Sequence, residues 1–109
     1  MPERTMAHMP EEWVYFVQAG ANGPIKIGYS KDPTARFVTL QTGSPVKHHY
    51  LGNVPGTRET ERELHARFWG AHVNGEWFRP TPELLEYIEA NRFRPETIWA
   101  PESEVTRLF

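Results

Sequence analysis

The stretch WVYFVQAGANGPIKIGY, residues 13–29, decides the fold of this chain. It begins with five β-forming residues, continues through turn-forming residues over 19–24, and ends in the alternating segment 25–29. Runs of β-branched and aromatic residues separated by glycine, asparagine and proline are typical of a β-hairpin. We therefore predict two antiparallel strands joined by a short turn.

The rest of the chain contains residues typical of helix N-termini. Asp32 followed by Pro33 predicts a first helix, because a carboxylate caps free amides and proline suits the first helical position. Further helices are predicted to begin at Thr57 and at Thr81, after a third strand over residues 46–54. The order β-β-α-β-α-(β)-α predicts an α/β domain of the α+β type. Its centre is a small antiparallel sheet of about three strands flanked by helices.

Length and composition exclude several classes of protein. The chain has 109 residues, of which 39% are hydrophobic and 24% are charged, as in ordinary globular domains. The lack of cysteine excludes disulfides, thiolate metal sites and a cysteine nucleophile. No apolar run reaches the ~18 residues of a membrane span, and no signal peptide is visible. We therefore expect a cytoplasmic protein without a membrane partner.

The chain is expected to hold one folded unit with two flanking segments. We predict a flexible leader over residues 1–12, a domain over 13–92, and a C-terminal tail over 93–109 that packs on the domain or extends from it. Residues 13–80 contain eight basic and five acidic side chains, a net charge of +3, whereas the whole chain has −2. This asymmetry is compatible with nucleic-acid binding or with an ordinary solvated surface. A monomer is the expected state.

The segment after Thr57 carries the first candidate site. The residues that share one face of this predicted helix, at i, i+3, i+4 and i+7, are Glu61, Leu64, His65 and Phe68. The two apolar members belong in the core, so Glu61 and His65 are expected at its edge. A carboxylate and an imidazole there are placed to bind a divalent metal or to relay a proton. The alternative is an ordinary i,i+4 pair on a surface helix.

Arg36 and two tyrosines are further candidates. Arg36 follows the cap of the first helix by four residues, where it would bind a phosphate with both arms or form a salt bridge with Asp32. Tyr15 and Tyr29 lie on the predicted hairpin, where a tyrosine usually packs with its hydroxyl satisfied. Each of these residues therefore has a functional and a structural interpretation.

Six short motifs follow one another in a fixed order. They are VYF at 14–16, KIG at 26–28, DPxxR at 32–36, LQTGxP at 40–45, ExxLHxxF at 61–68 and GEWF at 75–78. This ordered set resembles the GIY-YIG nuclease superfamily, in the branch found in phage and mobile-element proteins, and it covers about two thirds of the chain. The resemblance implies a metal-dependent endonuclease that cuts nucleic acid, more often DNA than RNA.

The resemblance also implies a role for each matching residue. Tyr15 corresponds to the signature tyrosine that activates or orients the attacking water, and Arg36 to the arginine that steadies the scissile phosphate. Glu61 corresponds to the carboxylate that holds one Mg²⁺ or Mn²⁺, and His65 resembles the histidine of this branch. The remaining motif positions, expected to be structural, are Gly28, Gly75, Glu76, Trp77 and Phe78.

The second motif departs from the family pattern. Lys26 stands where the signature has tyrosine, and Tyr29 follows Gly28 where many relatives carry lysine. Strand alternation places Lys26 and Tyr29 on opposite faces, so neither simply replaces the other, and both are kept as catalytic candidates.

The basic residues expected to contact nucleic acid are Lys31, Lys47, Arg58 and Arg62. The alternative to an endonuclease is a nucleic-acid-binding or protein-interaction module on the same fold whose catalysis is weakened.

Overall fold

The strands of the predicted hairpin form the centre of the sheet. In the computed structural model, which describes residues 9–94, strand β1 (Trp13–Ala19) pairs antiparallel with β2 (Ile25–Ser30). Strand β3 (His48–Pro55) pairs antiparallel with the other side of β1. The turn between β1 and β2 begins at Gly20, whose φ of +76° lies in the left-handed region that favours glycine.

Three ten-residue helices begin where the sequence predicts them. They are α1 (Pro33–Thr42), α2 (Arg58–Arg67) and α3 (Pro82–Asn91). The side chains of Asp32, Thr57 and Thr81 accept hydrogen bonds from backbone amides of the first helical turn, which the helix itself leaves unsatisfied. Helix α2 ends at Arg67 and is followed by a 3₁₀ turn at Trp69–Ala71.

Within residues 9–94 the sheet has five strands, so the expected number of about three is wrong. Strands β4 (His72–Asn74) and β5 (Trp77–Phe78) extend the sheet beyond β2, in the order β3-β1-β2-β5-β4. The sequence at 73–75 has the pattern of a turn, and strands of three and two residues are too short to show the alternation that identifies a strand. Gly75, with a φ of +56°, forms the tight turn between them.

The helices lie on both faces of this sheet. Helices α2 and α3 cover one face, where Phe16, Leu64 and Leu84 belong to the main hydrophobic core. Helix α1 packs against β1, β2 and β3 on the other face, with the ring centroids of Phe37 and Tyr50 5.6 Å apart. The predicted architecture, a central antiparallel sheet flanked by helices, is confirmed.

Tyr15 is buried on the face opposite the main core. Its neighbours Val14 and Phe16 belong to that core, and side chains alternate along a strand. In the register of β1 and β2, Tyr15 is directly opposite Gly28. A Cβ built on Gly28 would lie 2.4 Å from both Cζ and the hydroxyl oxygen of Tyr15. The tyrosine ring therefore crosses β2 at the one place where no side chain stands in its way.

Gly28→Ala is expected to lower the free energy of unfolding by about 1–3 kcal/mol, because the added methyl group forces Tyr15 or the backbone to move. Gly70→Ala is the matched control, since a Cβ there would meet nothing within 4 Å. Chemical denaturation of both variants measures the difference. Equal stabilities would show that Tyr15 does not lie across Gly28.

The two flanks of the domain are bound to the sheet. The carbonyl of Glu12 accepts a hydrogen bond from the backbone just after β3, and the N–H of Phe93 donates to a carbonyl within β3. Residues 1–8 of the predicted leader and 95–109 of the predicted tail lie outside the described residues. Among the residues that the structure describes, no helix has both the length and the apolar character needed to cross a membrane.

Candidate functional site

The hydroxyl of Tyr15 lies among groups of opposite charge. Tyr15 is 1% exposed, and the guanidinium of Arg36 lies near its hydroxyl. Burial raises the pKa of Tyr15 above its ordinary value, the charge of Arg36 opposes this, and the carboxyls of Glu76 and Glu61 reinforce it. The phenol is therefore protonated at neutral pH, and a guanidinium and two carboxyls surround it.

Arg36 reaches this site from α1 and does not pair with its helical neighbour. The side chain of Asp32 is used as the helix cap, with Oδ1 accepting from the N–H of Ala35 at 3.1 Å. Among the described residues, Arg36 makes no ion pair, and its exposed side chain lines a surface pocket. Of the two interpretations left open by the sequence, the salt bridge to Asp32 is not formed.

Glu61 is carried into the site by α2 and is buried, with 8% of its surface exposed. Its Oε2 atom is fully enclosed and has no hydrogen-bond partner in the described part of the chain. Burial, followed by the hydrogen bond and the charge of Glu76, raises the pKa of Glu61. An enclosed carboxyl oxygen without a donor is costly unless a cation or a proton satisfies it.

Glu76 is the second carboxyl of the site, at the turn between β4 and β5. Its Oε1 accepts a hydrogen bond from Nζ of Lys26 at 2.8 Å, which also makes an ion pair. Burial acts to raise the pKa of Glu76, but the hydrogen bond and charge of Lys26 outweigh it, and the pKa is lowered. In the metal-free pair, Glu76 is therefore the ionised member and Glu61 the member that keeps a proton more readily.

Sequence reasoning missed this pairing. It treated Glu76 as a structural motif position and Lys26 as a departure from the family pattern, without connecting them. The two residues are 50 positions apart, and no local pattern relates them. They meet because β5 pairs with β2 at Lys26 and the N–H of Ile27 donates to the carbonyl of Glu76.

His65 is held by the backbone of β2. Its Nε2 lies 2.8 Å from the carbonyl oxygen of Ile27, and its ring is tilted against Phe78 with centroids 5.0 Å apart. Because a carbonyl only accepts, Nε2 carries the hydrogen, and Nδ1 alone is left to handle a proton. His65 therefore anchors α2 to β2 beside the carboxyl pair.

Tyr29 lies outside the group formed around Tyr15. Its hydroxyl donates to Oε1 of Glu12 at 2.6 Å, and this hydrogen bond raises the pKa of Tyr29. The guanidinium of Arg58 lies over its ring, 4.5 Å from the centroid. The Tyr29 hydroxyl is therefore hydrogen-bonded to Glu12 and does not replace the hydroxyl of the missing signature tyrosine. Lys26 occupies the position of that tyrosine.

The four basic residues expected to contact nucleic acid lie in different surroundings. Lys31 and Arg58 line a surface pocket together with Arg36. Arg62 is ion-paired on the exposed side of α2, and Lys47 is exposed just before β3. Only the first two are therefore continuous with the buried groups of the site.

Two of the motif residues, Trp77 and Phe78, have different surroundings. Phe78 is fully buried in the main core, and Trp77 lies next to Lys26, whose Nζ is 5.7 Å from the indole centroid.

Tyr50, which the sequence did not indicate, lies on β3 opposite Val17. Burial raises the pKa of Tyr50 to about 12, so it is a neutral neighbour of the site at physiological pH.

The carboxyls fit one hard divalent cation. The enclosed Oε2 of Glu61 has an unused acceptor, and Glu76 offers a second carboxyl beside it. Mg²⁺ in proteins is commonly held by one or two carboxylates, with water and substrate phosphate filling the other positions. In residues 9–94 no group of three or more His, Asp or Glu side chains is placed to ligate a metal ion. The donor set fits a site completed by substrate, not a closed structural one.

A protein-family model matches most of the chain. The T5orf172 domain, a phage-associated domain, matches residues 12–93, three quarters of the chain. The searches of curated proteins and of solved structures returned no match. The matched range contains every residue of the site described above.

Proposed function

This chain belongs to the T5orf172 domain family, and on that premise we propose that it is a metal-dependent endonuclease of the GIY-YIG type. Its substrate is the phosphodiester backbone of nucleic acid, with DNA favoured over RNA. One observation carries the proposal: the enclosed Oε2 of Glu61 has no hydrogen-bond partner in residues 9–94 and lies beside a second carboxyl, that of Glu76. A buried phenol, an unpaired guanidinium and a buried carboxyl with a free oxygen form a set suited to phosphoryl transfer.

Arg36 binds the scissile phosphate in this proposal. A guanidinium presents two parallel N–H donors, which match two phosphate oxygens and offset the charge that develops on them during attack. Because Arg36 is exposed and makes no ion pair among the described residues, its arms are open to a ligand near the hydroxyl of Tyr15.

Tyr15 orients the attacking water. Its phenol is protonated, so the hydroxyl donates or accepts one hydrogen bond at the edge of the buried ring. The water oxygen attacks phosphorus while its proton passes to Nδ1 of His65, and the opposite phosphorus–oxygen bond breaks, the leaving sugar oxygen taking a proton from solvent. The ring of Tyr15 is buried and crosses the strand at Gly28, so its hydroxyl holds that water in line without side-chain rearrangement.

Glu61, with Glu76 beside it, would hold one Mg²⁺ or Mn²⁺. Such an ion supplies positive charge to the phosphate oxygens and lowers the pKa of a bound water. The ion pair with Lys26 keeps Glu76 ionised next to Glu61, so the two carboxyls together present the negative charge that a hard cation requires.

Arg36→Lys is expected to lower the cleavage rate by roughly 10²-fold with little loss of stability. An ammonium keeps the charge but cannot reproduce the two parallel donors on a phosphate. Single-turnover cleavage and thermal denaturation measure the two effects. A variant with full activity and reduced thermal stability would assign Arg36 a structural role.

A second candidate function is supported by Lys26. A lysine ion-paired to Glu76 neutralises part of the charge that would attract a cation and replaces a hydroxyl of the family signature. A module that binds nucleic acid without cutting it would have these properties. Such a protein would bind an oligonucleotide equally well in Mg²⁺ and in chelator, and would leave it intact.

The test uses the full chain and a small panel of substrates. Supercoiled plasmid, a single-stranded oligonucleotide and an RNA of the same sequence are incubated with Mg²⁺, with Mn²⁺ and with chelator. The endonuclease proposal requires nicking or cutting of at least one substrate with metal and none with chelator. Binding without cleavage under every condition would overturn it and support the second candidate.

A further inference from the structure

A basic surface pocket includes Arg36. It is lined by Tyr29, Ser30, Lys31, Arg36 and Arg58. Three of these five residues are cations, and none makes an ion pair with another residue that the structure describes. Glu12, bound to the Tyr29 hydroxyl, and Glu61, which is influenced by Arg58, offset this charge only in part, and a concave surface with excess positive charge attracts an anion.

Arg58 is held so that its donors remain free. Its guanidinium carbon lies over the ring of Tyr29, 4.5 Å from the centroid, a cation–π contact. This contact uses none of the guanidinium N–H groups as a conventional hydrogen-bond donor, and a guanidinium can donate two parallel hydrogen bonds. Tyr29 is fixed in turn by its hydrogen bond to Glu12 at 2.6 Å.

The arrangement suits a phosphate and not a base. One face of the Tyr29 ring, which could otherwise stack on a base, is covered by Arg58. The side chain of Asp32, the nearest carboxylate in the chain to Lys31, is used as a helix cap. What the pocket offers is therefore positive charge and N–H donors, the groups that recognise a phosphodiester oxyanion.

We propose that this pocket binds the phosphodiester group adjacent to the one that is cut. The inference rests on the proposed function, because Arg36 is shared by the pocket and by the Tyr15 site. A strand with its scissile phosphate on Arg36 places the neighbouring phosphate between Lys31 and Arg58. Recognition here is of the backbone, so the pocket positions the strand without reading its sequence.

The test measures binding and does not depend on cleavage. Glu61→Gln protein is titrated with a labelled duplex, and with a series of the same duplex in which one phosphate at a time is a neutral methylphosphonate. One position is expected to weaken binding by about 10-fold, as for loss of hydrogen bonds to a charged group. In the parent protein, if it cuts, that position is next to the cleaved bond.

The decisive comparison uses Lys31→Gln/Arg58→Gln on the same background. This variant is expected to bind the unmodified duplex about 10-fold more weakly and to lose the extra penalty of the methylphosphonate at that position. Lys31→Gln alone, at an exposed residue, removes part of the effect without disturbing the Tyr29 stack. The slope of log affinity against log salt should fall by about one, the value for one phosphate contact.

Arg62→Gln is the charge-matched control. It removes one positive charge from the same helix, but its guanidinium is ion-paired with Glu59. It is expected to keep the full methylphosphonate penalty. If the double variant keeps that penalty too, or binds as tightly as its parent, the pocket is not a phosphate site. Loss of the penalty in a parent that never cuts would uphold the pocket and reject the endonuclease.

Discussion

Glu61→Gln is expected to reduce metal-dependent cleavage by about 10³-fold or more. The change preserves size and shape but deletes the charge that a hard cation needs, and such an ion contributes several kcal/mol to the transition state. Single-turnover cleavage in saturating Mg²⁺ measures the loss. Glu63→Gln is the matched control, because this carboxylate is exposed on the same helix two residues away.

The same substitution is expected not to lower stability. Burial and the neighbouring Glu76 raise the pKa of Glu61, so the folded state binds a proton more tightly than the unfolded chain. The contribution that such a carboxyl makes to the stability of the fold is lost as the pH rises through its raised pKa, whereas glutamine does not ionise. At pH 7 without metal, the glutamine variant should therefore unfold at the same or a higher temperature. Cleavage as fast as in the parent would instead remove Glu61 as the metal ligand and make Glu76 the next candidate.

Tyr15→Phe is expected to lower cleavage by roughly 10²-fold or more, as for loss of a positioned proton-transfer group. The ring continues to fill the space over Gly28, and only the hydroxyl near Arg36 is removed. Because this removes at most about one hydrogen bond, the free energy of unfolding should fall by no more than about 1 kcal/mol. Cleavage rates and denaturation curves of the same preparations separate the two effects.

Tyr50→Phe is the control for this prediction. Tyr50 is another tyrosine near the site with a raised pKa, but Arg36 has no influence on it. Its loss should leave the cleavage rate close to that of the parent. Full activity of Tyr15→Phe, with about 1 kcal/mol of lost stability, would mean that the hydroxyl only packs, and would leave the handling of the water to His65.

The sequence was informative wherever a local rule decides the structure. The caps at Asp32, Thr57 and Thr81 set the starts of all three helices, because the groups they satisfy lie within the next few residues. Helical spacing also placed Glu61 at the edge of the core, where it is found buried. The short extended piece expected before the last helix is found as β5, whereas β4 was missed because its three residues are too few to show strand alternation.

The partners within the site could not be read from the sequence. Arg36 had two interpretations, and only the packing of α1 on the sheet brings it to Tyr15 instead of Asp32. In the sequence, Lys26 is only a departure from the family pattern. The pairing of strands in the sheet brings its ammonium group into an ion pair with Glu76. Such contacts depend on strand order and register, which join residues far apart in the chain.

The most direct test of the account compares two Mg²⁺ titrations of the same protein. One follows the melting temperature and the other follows the single-turnover cleavage rate. Because a cation bound between Glu61 and Glu76 stabilises the folded state and is also required for cleavage, both curves should saturate, the cleavage curve at the same or a lower Mg²⁺ concentration because substrate phosphate completes the site. In Glu61→Gln the thermal shift and the cleavage should be lost together. Cleavage that persists in chelator, or a thermal shift that survives this substitution, would contradict the account.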